Sequence, residues 1–365
     1  MTDALTAVLR RSPVGEPAWL AFWDRLRAGR LRRGEAAAML ASLSSRMPDQ
    51  ATTAALLAAL AARRTGPRPR LPAANIVGTG GGPATFNIST AAALVAAAMG
   101  VPVVKTGSRA YTALYGSYDL LERLGIGMTT SHEQTVDLLG TLGVAFPGPY
   151  VYPPELGLLA RSVLPLDMRV VGRFFNIVGP FLPTVSFRAQ VTGVSDATLL
   201  PTLAHLAAAD PGTRRWLCVN DEGADELVSV AENRIHPNDG SGVRRIVPAT
   251  LGLAGGSMAD LAPAPEGVDP VDHVAAVLCG AGPPAAGRTV CLNAAALAVA
   301  AGTMPDWSEA VAAATETLTA GAALAVVGRL RAAANRRSIA VGATVVHLGH
   351  ADRRRAAGQP GRVTA

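Results

Sequence analysis

The run Gly78-Thr-Gly-Gly-Gly-Pro-Ala-Thr-Phe-Asn-Ile-Ser-Thr90 decides how the chain folds. The short stretch Asn75-Ile-Val77 precedes it and predicts a strand. After the run, residues 91–99 predict a helix that Ser89-Thr90 caps and Gly100 ends. The stretch Val101-Pro-Val-Val104 then predicts a second strand. A strand, a glycine-rich loop, a helix and another strand form one β-α-β unit, which is typical of parallel α/β proteins.

The same order of elements returns further along the chain. The stretch Gln190-Val-Thr-Gly-Val194 predicts a strand, residues 197–208 predict a helix, and Trp216-Leu-Cys-Val219 predicts another strand. A helix around 310–334 should cover one face of the sheet, and Ala343-Thr-Val-Val346 predicts one more strand. We therefore expect an α/β domain over residues 71–336 with a central, mostly parallel sheet, followed by a partly flexible extension over 337–365.

The first 70 residues have a different pattern. Trp19, Phe22, Trp23 and Leu26 are spaced as one buried stripe of a helix, and Asp49 is placed to cap a later one. A stretch rich in proline and glycine at 65–72 then predicts a linker. The fold class is thus α/β, with a small all-helical N-terminal domain over 1–70 beside the large domain. We expect residues 150–185 to pack against the helical domain.

Composition excludes several classes of protein. The 365 residues are 49% hydrophobic and 16% charged, which excludes a disordered chain. Three cysteines give neither a disulfide framework nor zinc spacing, and no signal pattern opens the chain, so we expect a cytoplasmic protein. The apolar runs at 91–104 and 292–301 are too short and too interrupted to span a bilayer. The net charge of +6 favours phosphates or nucleic acid as partners, or belongs to a solvated basic tail.

The glycine-rich run carries the first chemical signal. Glycines between a strand and a helix let backbone N–H groups approach a phosphate, and Ser89-Thr90 at the helix start favour an anion. Together with Asn87 they predict a phosphate site, although a glycine run alone is also compatible with a tight structural turn. Neither the nucleoside-triphosphate loop nor the dinucleotide fingerprint is present in the run.

Two more segments follow predicted strands. Lys105-Thr-Gly-Ser-Arg109 should lie at the same sheet edge as the glycines, where Lys105 and Arg109 would face a multiply charged ligand. Asp225-Glu226 places two carboxylates past a strand end, an arrangement that suits Mg²⁺. Taken singly, these segments are also compatible with a solvated loop and an acidic surface turn.

The order of these motifs resembles the anthranilate phosphoribosyltransferase family. Its Gly-Thr-Gly-Gly-Asp-Gly loop running into Thr-Phe-Asn-Ile-Ser-Thr is similar to Gly78-Thr-Gly-Gly81 and Thr85-Phe-Asn-Ile-Ser-Thr90. Its Lys-His-Gly-Asn-Arg is similar to the segment at 105–109, which Gly116-Ser117 follows. Three further motifs are similar to Phe175-Asn-Ile-Val-Gly-Pro-Phe181, Gly223-Ala-Asp-Glu226 and Leu292-Asn-Ala-Ala295. The resemblance implies the nucleoside phosphorylase and phosphoribosyltransferase type of fold.

The resemblance also implies an activity: Mg²⁺-dependent phosphoribosyl transfer from phosphoribosyl pyrophosphate (PRPP) to a small aromatic acceptor, by a homodimer. The catalytic residues would be Lys105, on the donor's phosphates, and Asp225 and Glu226, on a second Mg²⁺. Substrate-binding positions would be Gly78, Gly80, Gly81, Thr85, Asn87, Ser89, Thr90, Lys105, Arg109, Ser117 and Arg169, with Ser89 also a metal ligand.

Departures from the family pattern fall mainly on the acceptor side. Thr106 and Ser108 stand where the family has histidine and asparagine, and the glycine loop is one residue short and lacks its aspartate. A gapless alignment places Asp167 at the family's acceptor-binding arginine, whereas a shifted gap places Arg169 there. We therefore expect an altered or relaxed aromatic acceptor, because buried polar contacts set such selectivity.

Three tyrosines, Tyr111, Tyr115 and Tyr150, either stack on the acceptor ring or are ordinary packed residues. Two other functions compete with transfer. A non-catalytic relative would bind nucleic acid or another phosphorylated ligand through its basic surface, but such a protein has no need of Asp225-Glu226 in a phosphate cleft. A nucleoside phosphorylase shares the fold, and the Thr-Phe-Asn-Ile-Ser-Thr run argues for the transferase instead.

Overall fold

The computed structural model describes residues 3–107 and 116–336. The α-helices in chain order are α1 (Ala4–Leu9), α2 (Glu16–Arg27), α3 (Glu35–Ser45), α4 (Gln50–Ala62), α5 (Ile88–Ala98), α6 (Ser117–Arg123), α7 (His132–Leu142), α8 (Pro154–Ser162), α9 (Met168–Val171), α10 (Arg173–Val178), α11 (Leu200–Ala208), α12 (Pro270–Leu278), α13 (Pro284–Ala301), α14 (Trp307–Thr319) and α15 (Ala322–Arg336). The strands are β1 (Arg70–Gly78), β2 (Val103–Val104), β3 (Val144–Ala145), β4 (Ser186–Gly193), β5 (Arg214–Asn220), β6 (Asn233–Pro237) and β7 (Arg244–Ile246). Arg109, Tyr111, Tyr115 and the strand predicted at 343–346 lie outside the described residues.

Helices α1 to α4 form the N-terminal part of the fold. The predicted stripe of Trp19, Phe22, Trp23 and Leu26 is confirmed, since all four side chains are buried in one apolar cluster. The predicted cap at Asp49 is also confirmed, because its carboxylate accepts the N–H of Thr52 at 2.9 Å. These helices therefore have an apolar core of their own.

A later segment of the chain completes that N-terminal core. Helices α8, α9 and α10 contribute buried apolar residues, Phe174 among them, to the cluster that holds the α2 stripe. Ser44 of α3 joins the two parts, since its hydroxyl donates to the Val171 carbonyl at 2.5 Å and accepts the Phe174 N–H at 3.2 Å. Residues far apart in sequence are thus packed together beside the sheet. The division of the chain into domains stays a prediction.

A seven-stranded sheet forms the centre of the structure, in the order β3-β2-β1-β4-β5-β6-β7. The first five strands of that order are parallel, and β6 and β7 run antiparallel at one edge. The predicted α/β fold with a helical N-terminal part and a mostly parallel sheet is confirmed. The strands differ in extent from the predicted ones: β1, β4 and β5 begin earlier, at Arg70, Ser186 and Arg214, and β2 contains only Val103 and Val104.

Helices cover both faces of the sheet. Helices α5 and α13 pack on one face, with α14 outside them, and α7 and α11 pack on the other. Helix α13 is long and apolar enough to cross a membrane, and so would be α14 and α15 counted as one bent span. However, 83% of α13 is buried against the sheet and its neighbouring helices, as in the core helix of a globular domain.

The single helix predicted over 310–334 is in fact two helices, a difference that follows from one glycine. Helices α14 and α15 meet at an angle of 67°. Gly321 between them has a φ of +66°, in the left-handed region that favours glycine and ends a helix. The hydrophobic pattern continues across the break, so the periodicity did not reveal it.

Candidate active site

A cavity of about 360 Å³ opens at the carboxyl ends of the parallel strands. The segments that follow β1, β2 and β5 form its walls, as expected for the carboxyl edge of an open α/β sheet. Ten residues predicted for the site line it: Gly78, Gly80, Gly81, Thr85, Asn87, Ser89, Lys105, Ser117, Asp225 and Glu226. Segments that are up to 148 positions apart in the sequence, from Gly78 to Glu226, therefore meet in one place.

Two glycines let the carboxylate segment approach the glycine loop. Gly78 and Gly193 are paired across the neighbouring strands β1 and β4. A Cβ on Gly78 would lie 1.9 Å from Oδ2 of Asp225, and a Cβ on Gly193 would lie 1.7 Å from the Asp225 backbone oxygen. We call this pair the glycine notch, because the missing side chains leave the space that Asp225 occupies.

The glycine loop is held from two sides. The Gly80 N–H donates to Oδ2 of Asp225 at 2.7 Å. On the other side, the Ser195 hydroxyl donates to the Gly80 carbonyl at 2.6 Å, and the Ser195 N–H donates to the Thr79 hydroxyl at 3.3 Å. The sequence analysis missed Ser195, although its position just after a predicted strand was the available signal. The Gly80 N–H of the glycine loop is thus hydrogen-bonded to one member of the acidic pair Asp225-Glu226.

Lys105 lies beside that acidic pair. Its side chain is buried, and Nζ donates to the Thr106 carbonyl at 3.3 Å. Burial lowers the pKa of Lys105 to about 8, and the Glu226 and Asp225 carboxylates oppose the shift. Burial raises the pKa of Asp225 despite the Gly80 N–H, and burial and Asp225 together raise the pKa of Glu226 well above its usual range. A bound cation would therefore lower the pKa of both carboxyl groups and favour their ionised forms.

The donor atoms of this site fit Mg²⁺. Oε2 of Glu226 is buried and has no hydrogen-bond partner among the described residues. Within residues 3–107 and 116–336, no group of three or more histidine, cysteine, aspartate or glutamate side chains could hold a metal ion. Magnesium does not require such a group, since one or two carboxylates with substrate phosphates and water complete its coordination.

Helix α5 begins earlier than predicted. Its N-cap is Asn87, whose carbonyl accepts the Ala91 N–H at 3.1 Å, so Ser89 and Thr90 lie in the first turn rather than at the cap. Ser89 lines the cavity. Thr90 does not: its side chain is fully buried, and its hydroxyl has no partner in the described part of the chain. The role predicted for Thr90 in phosphate binding stays a prediction.

The end of the cavity away from Asp225 is apolar and aromatic. Tyr152, Leu156, Phe175 and Leu182 line it. The Tyr152 hydroxyl donates to the Gly107 carbonyl at 3.2 Å, which fixes the ring against the segment after β2. Tyr152 is not among the three tyrosines that the sequence put forward for contact with the acceptor.

Tyr150 and Arg169, two of the residues predicted for the acceptor, are not among the residues that line this cavity. Tyr150 is outside the set of residues that line the cavity, and its hydroxyl is hydrogen-bonded to that of Thr135. Arg169 lines a separate cavity of about 620 Å³ on the other side of the glycine loop, with Ser195. Its Nε is 3.9 Å from a carboxylate oxygen of Asp167. The structure thus brings neither Tyr150 nor Arg169 into the cavity with Lys105.

Comparisons with known proteins agree with this geometry. A family model described as "Glycosyl transferase family, a/b domain" matches residues 70–324. An anthranilate phosphoribosyltransferase from Methylobacterium nodulans is 34% identical over 329 residues, which is 88% of this chain and 94% of the relative. The crystal structure of anthranilate phosphoribosyltransferase from Thermus thermophilus has a TM-score of 0.75 at 31% identity, and the match covers 92% of this chain and 100% of the other. The enzyme from Saccharomyces cerevisiae in complex with PRPP and Mg has a TM-score of 0.71 at 22% identity over 88% and 92% of the two chains, which supports the fold alone.

Proposed function

The chain belongs to the glycosyl transferase family defined by this a/b domain, and we propose that it transfers a phosphoribosyl group from PRPP to an aromatic amine or acid, anthranilate or a related acceptor. The observation that carries the proposal is the meeting of Lys105 and the Asp225-Glu226 pair with the glycine loop in one cavity. Curated relatives that are 31–37% identical to this chain are anthranilate phosphoribosyltransferases by name. Family and site therefore support the same reaction.

The donor half of the cavity suits a sugar that carries several phosphates. The glycine loop lines the cavity with backbone that a phosphate can approach closely. The first turn of α5 adds Ser89 and the positive end of the helix dipole. Lys105 supplies a buried cation that is still protonated at neutral pH, since its pKa is about 8. We assign Gly80, Gly81 and Asn87 to phosphate binding as well.

Asp225 and Glu226 would hold Mg²⁺, with Ser89 as a further ligand. When bound, the metal stabilises negative charge on pyrophosphate. The chain's own contribution is to hold the two carboxylates in place beside Lys105, whose positive charge opposes the effect of burial on their pKa values. The hydrogen bond from the Gly80 N–H also opposes the effect of burial on the pKa of Asp225, because a hydrogen bond to a carboxylate favours its charged form.

The proposed reaction is a displacement at C1 of the ribose. The bond from C1 to the pyrophosphate oxygen breaks with its electron pair, the acceptor nitrogen forms a bond to C1, and that nitrogen then loses a proton to solvent. An arylamine has a free lone pair at neutral pH, so orientation matters more than a strong base. The apolar wall of Tyr152, Phe175 and Leu182 would place the ring.

The oligomeric state and the cellular location of the enzyme are part of the same proposal. We infer that the enzyme is a homodimer in the cytoplasm, in keeping with the resemblance found in the sequence. The alternative, a nucleic-acid binder, is not favoured, because such a protein has no need of the carboxylates of Asp225 and Glu226 in a phosphate cleft, whereas Mg²⁺ binding uses them.

A pyrophosphate-release screen tests the proposed function. The full-length chain is supplied with PRPP, Mg²⁺ and a panel of aminobenzoates and arylamines without a carboxylate, and we expect release only when an acceptor is present. Lys105→Ala and Asp225→Asn should each abolish most of the release, whereas Gly140→Ala on helix α7, with no atom within 4 Å of its new Cβ, should not. The absence of release with every acceptor would refute the proposal.

A further inference from the structure

A row of buried polar side chains crosses the sheet beneath the cavity. Thr106 follows β2, Asn75 is on β1, Gln190 is on β4 and Arg215 is on β5, so four neighbouring strands contribute one residue each. The exposed fractions of the four residues are 0%, 0%, 0% and 1%. We call these four residues the polar row. Such positions in the middle of a sheet covered on both faces are ordinarily apolar.

One end of the polar row fixes the segment that carries Lys105. The Thr106 N–H donates to Oδ1 of Asn75 at 3.0 Å, and Nδ2 of Asn75 is 3.0 Å from the Thr106 hydroxyl. The Thr106 carbonyl in turn accepts Nζ of Lys105 at 3.3 Å. Asn75 thus holds the peptide on which the position of the Lys105 ammonium depends.

The other end of the polar row fixes the opposite wall. Nε2 of Gln190 donates to the Pro180 carbonyl at 2.9 Å, and Nη1 of Arg215 donates to the same carbonyl at 3.3 Å. Pro180 and Gly179 line the cavity next to Phe175. Arg215 is itself anchored, because Nη2 donates to Asp210 at 2.7 Å and its guanidinium lies 5.1 Å from the centre of the Phe181 ring.

The two ends are joined in the middle, since Nδ2 of Asn75 donates to Oε1 of Gln190 at 3.1 Å. A continuous network therefore runs from the lysine segment to the Pro180 wall. Burying these groups is costly unless every hydrogen bond is made, and apolar residues of equal size would serve a core as well. What the polar row provides beyond stability is fixed geometry between two walls of one cavity.

We propose that Asn75 and Gln190 are positioning residues, which set the Lys105 segment and the Pro180 wall at the separation that transfer requires. This inference rests on the proposed function for its kinetic consequence. Neither residue lines the cavity, so each would act through its neighbours: Asn75 through Thr106 and Lys105 on the donor, and Gln190 through Pro180 on the acceptor.

The test compares the kinetic parameters for the two substrates. Gln190→Met keeps the volume of the side chain and removes its bonds to Pro180, Asn75 and Thr192. We therefore expect the KM for the acceptor to rise about tenfold, with PRPP affinity nearly unchanged. Asn75→Ala should instead weaken PRPP binding in calorimetry about tenfold, because Lys105 loses its support. The matched control is Thr129→Val, another fully buried polar residue, whose hydroxyl bonds that of Thr135 and which is not among the residues that line the cavity. Thermal unfolding of every variant accompanies the kinetics.

The outcomes separate the inference from the proposed function. The positioning role is supported if Gln190→Met changes mainly the KM for the acceptor, Asn75→Ala changes mainly the affinity for PRPP, and Thr129→Val changes neither. Equal losses in all three variants that follow thermal stability overturn it. If Gln190→Met does not fold, Arg215→Lys makes the same test, because one ammonium cannot replace both guanidinium bonds. If the parent chain transfers to no acceptor, the proposed function fails, and the PRPP affinity of Asn75→Ala alone decides whether the polar row positions Lys105.

Discussion

Replacing Gly78 by alanine should disable the site without disturbing the backbone at that residue. Gly78 is not among the residues with positive φ, so alanine fits its backbone conformation. The new Cβ, however, would stand 1.9 Å from Oδ2 and 2.6 Å from Cγ of Asp225. The carboxylate must therefore retreat by at least about 1 Å to reach a contact of 3.0 Å, and the 2.7 Å bond from the Gly80 N–H is lost. A misplacement of about 1 Å in a catalytic site costs on the order of a hundredfold in rate.

The assay is pyrophosphate release at saturating acceptor, with PRPP and Mg²⁺ varied in turn. We expect kcat/KM for PRPP to fall about a hundredfold and the half-saturating Mg²⁺ concentration to rise. Gly140→Ala is the control, since it sits inside helix α7 with open space around its Cβ and should stabilise the fold by roughly 0.5–1 kcal/mol. A folded Gly78→Ala enzyme with activity within about twofold of the parent would refute the role given to Asp225.

Three further predictions follow from the charges. PRPP binding should need the protonated form of Lys105, whose pKa burial lowers to about 8, so kcat/KM for PRPP should fall about tenfold per pH unit above that pKa. A pH profile of kcat/KM checks this, and the profile of Lys105→Met should lack the fall at alkaline pH. Because Mg²⁺ would lie between the buried carboxylates of Asp225 and Glu226 and the phosphates, Mg²⁺ and PRPP should each tighten the other's binding. Calorimetry with and without Mg²⁺ measures this coupling, which Asp225→Asn should reduce. Burial alone would raise the pKa of Glu35, but its bonds to Arg32 and Arg25 outweigh burial and lower that pKa. The ionised Glu35 therefore stabilises the fold above pH 4.5, and this stabilisation is lost as the pH falls below that value. Glu35→Gln should lower the free energy of unfolding in urea by about 2 kcal/mol at pH 7 and by much less in acid.

Local patterns in the sequence were sufficient to predict most of the fold. The α2 stripe and the cap at Asp49 follow from helix geometry, which depends only on neighbours a few residues away. The strands β1, β4 and β5 are short apolar runs followed by turn residues, and parallel strands place those turns at one edge. This is why Lys105 and the Asp225-Glu226 pair could be predicted to meet the glycine loop.

Features that depend on contacts between distant segments could not be predicted in the same way. Asn75 and Gln190 are unremarkable polar residues in predicted strands until the register places them side by side. Tyr152 lines the cavity and Tyr150 does not, although they are two positions apart around a short 3-10 turn, and no local pattern in the sequence distinguishes them. The position of Arg169 depends on how α9 packs on α3, and that packing involves residues 127 positions apart.

The glycine notch explains how carboxylates that follow β5 act at a loop that follows β1. The two strands are not neighbours, because β4 lies between them. For Asp225 to reach the Gly80 N–H, its segment must cross the end of β4, and any side chain at Gly193 would occupy the same space as the Asp225 backbone. A second side chain at Gly78 would displace the carboxylate itself. The paired glycines are therefore a condition for joining the metal-binding residues to the phosphate loop, in addition to any contact that glycines make with phosphate.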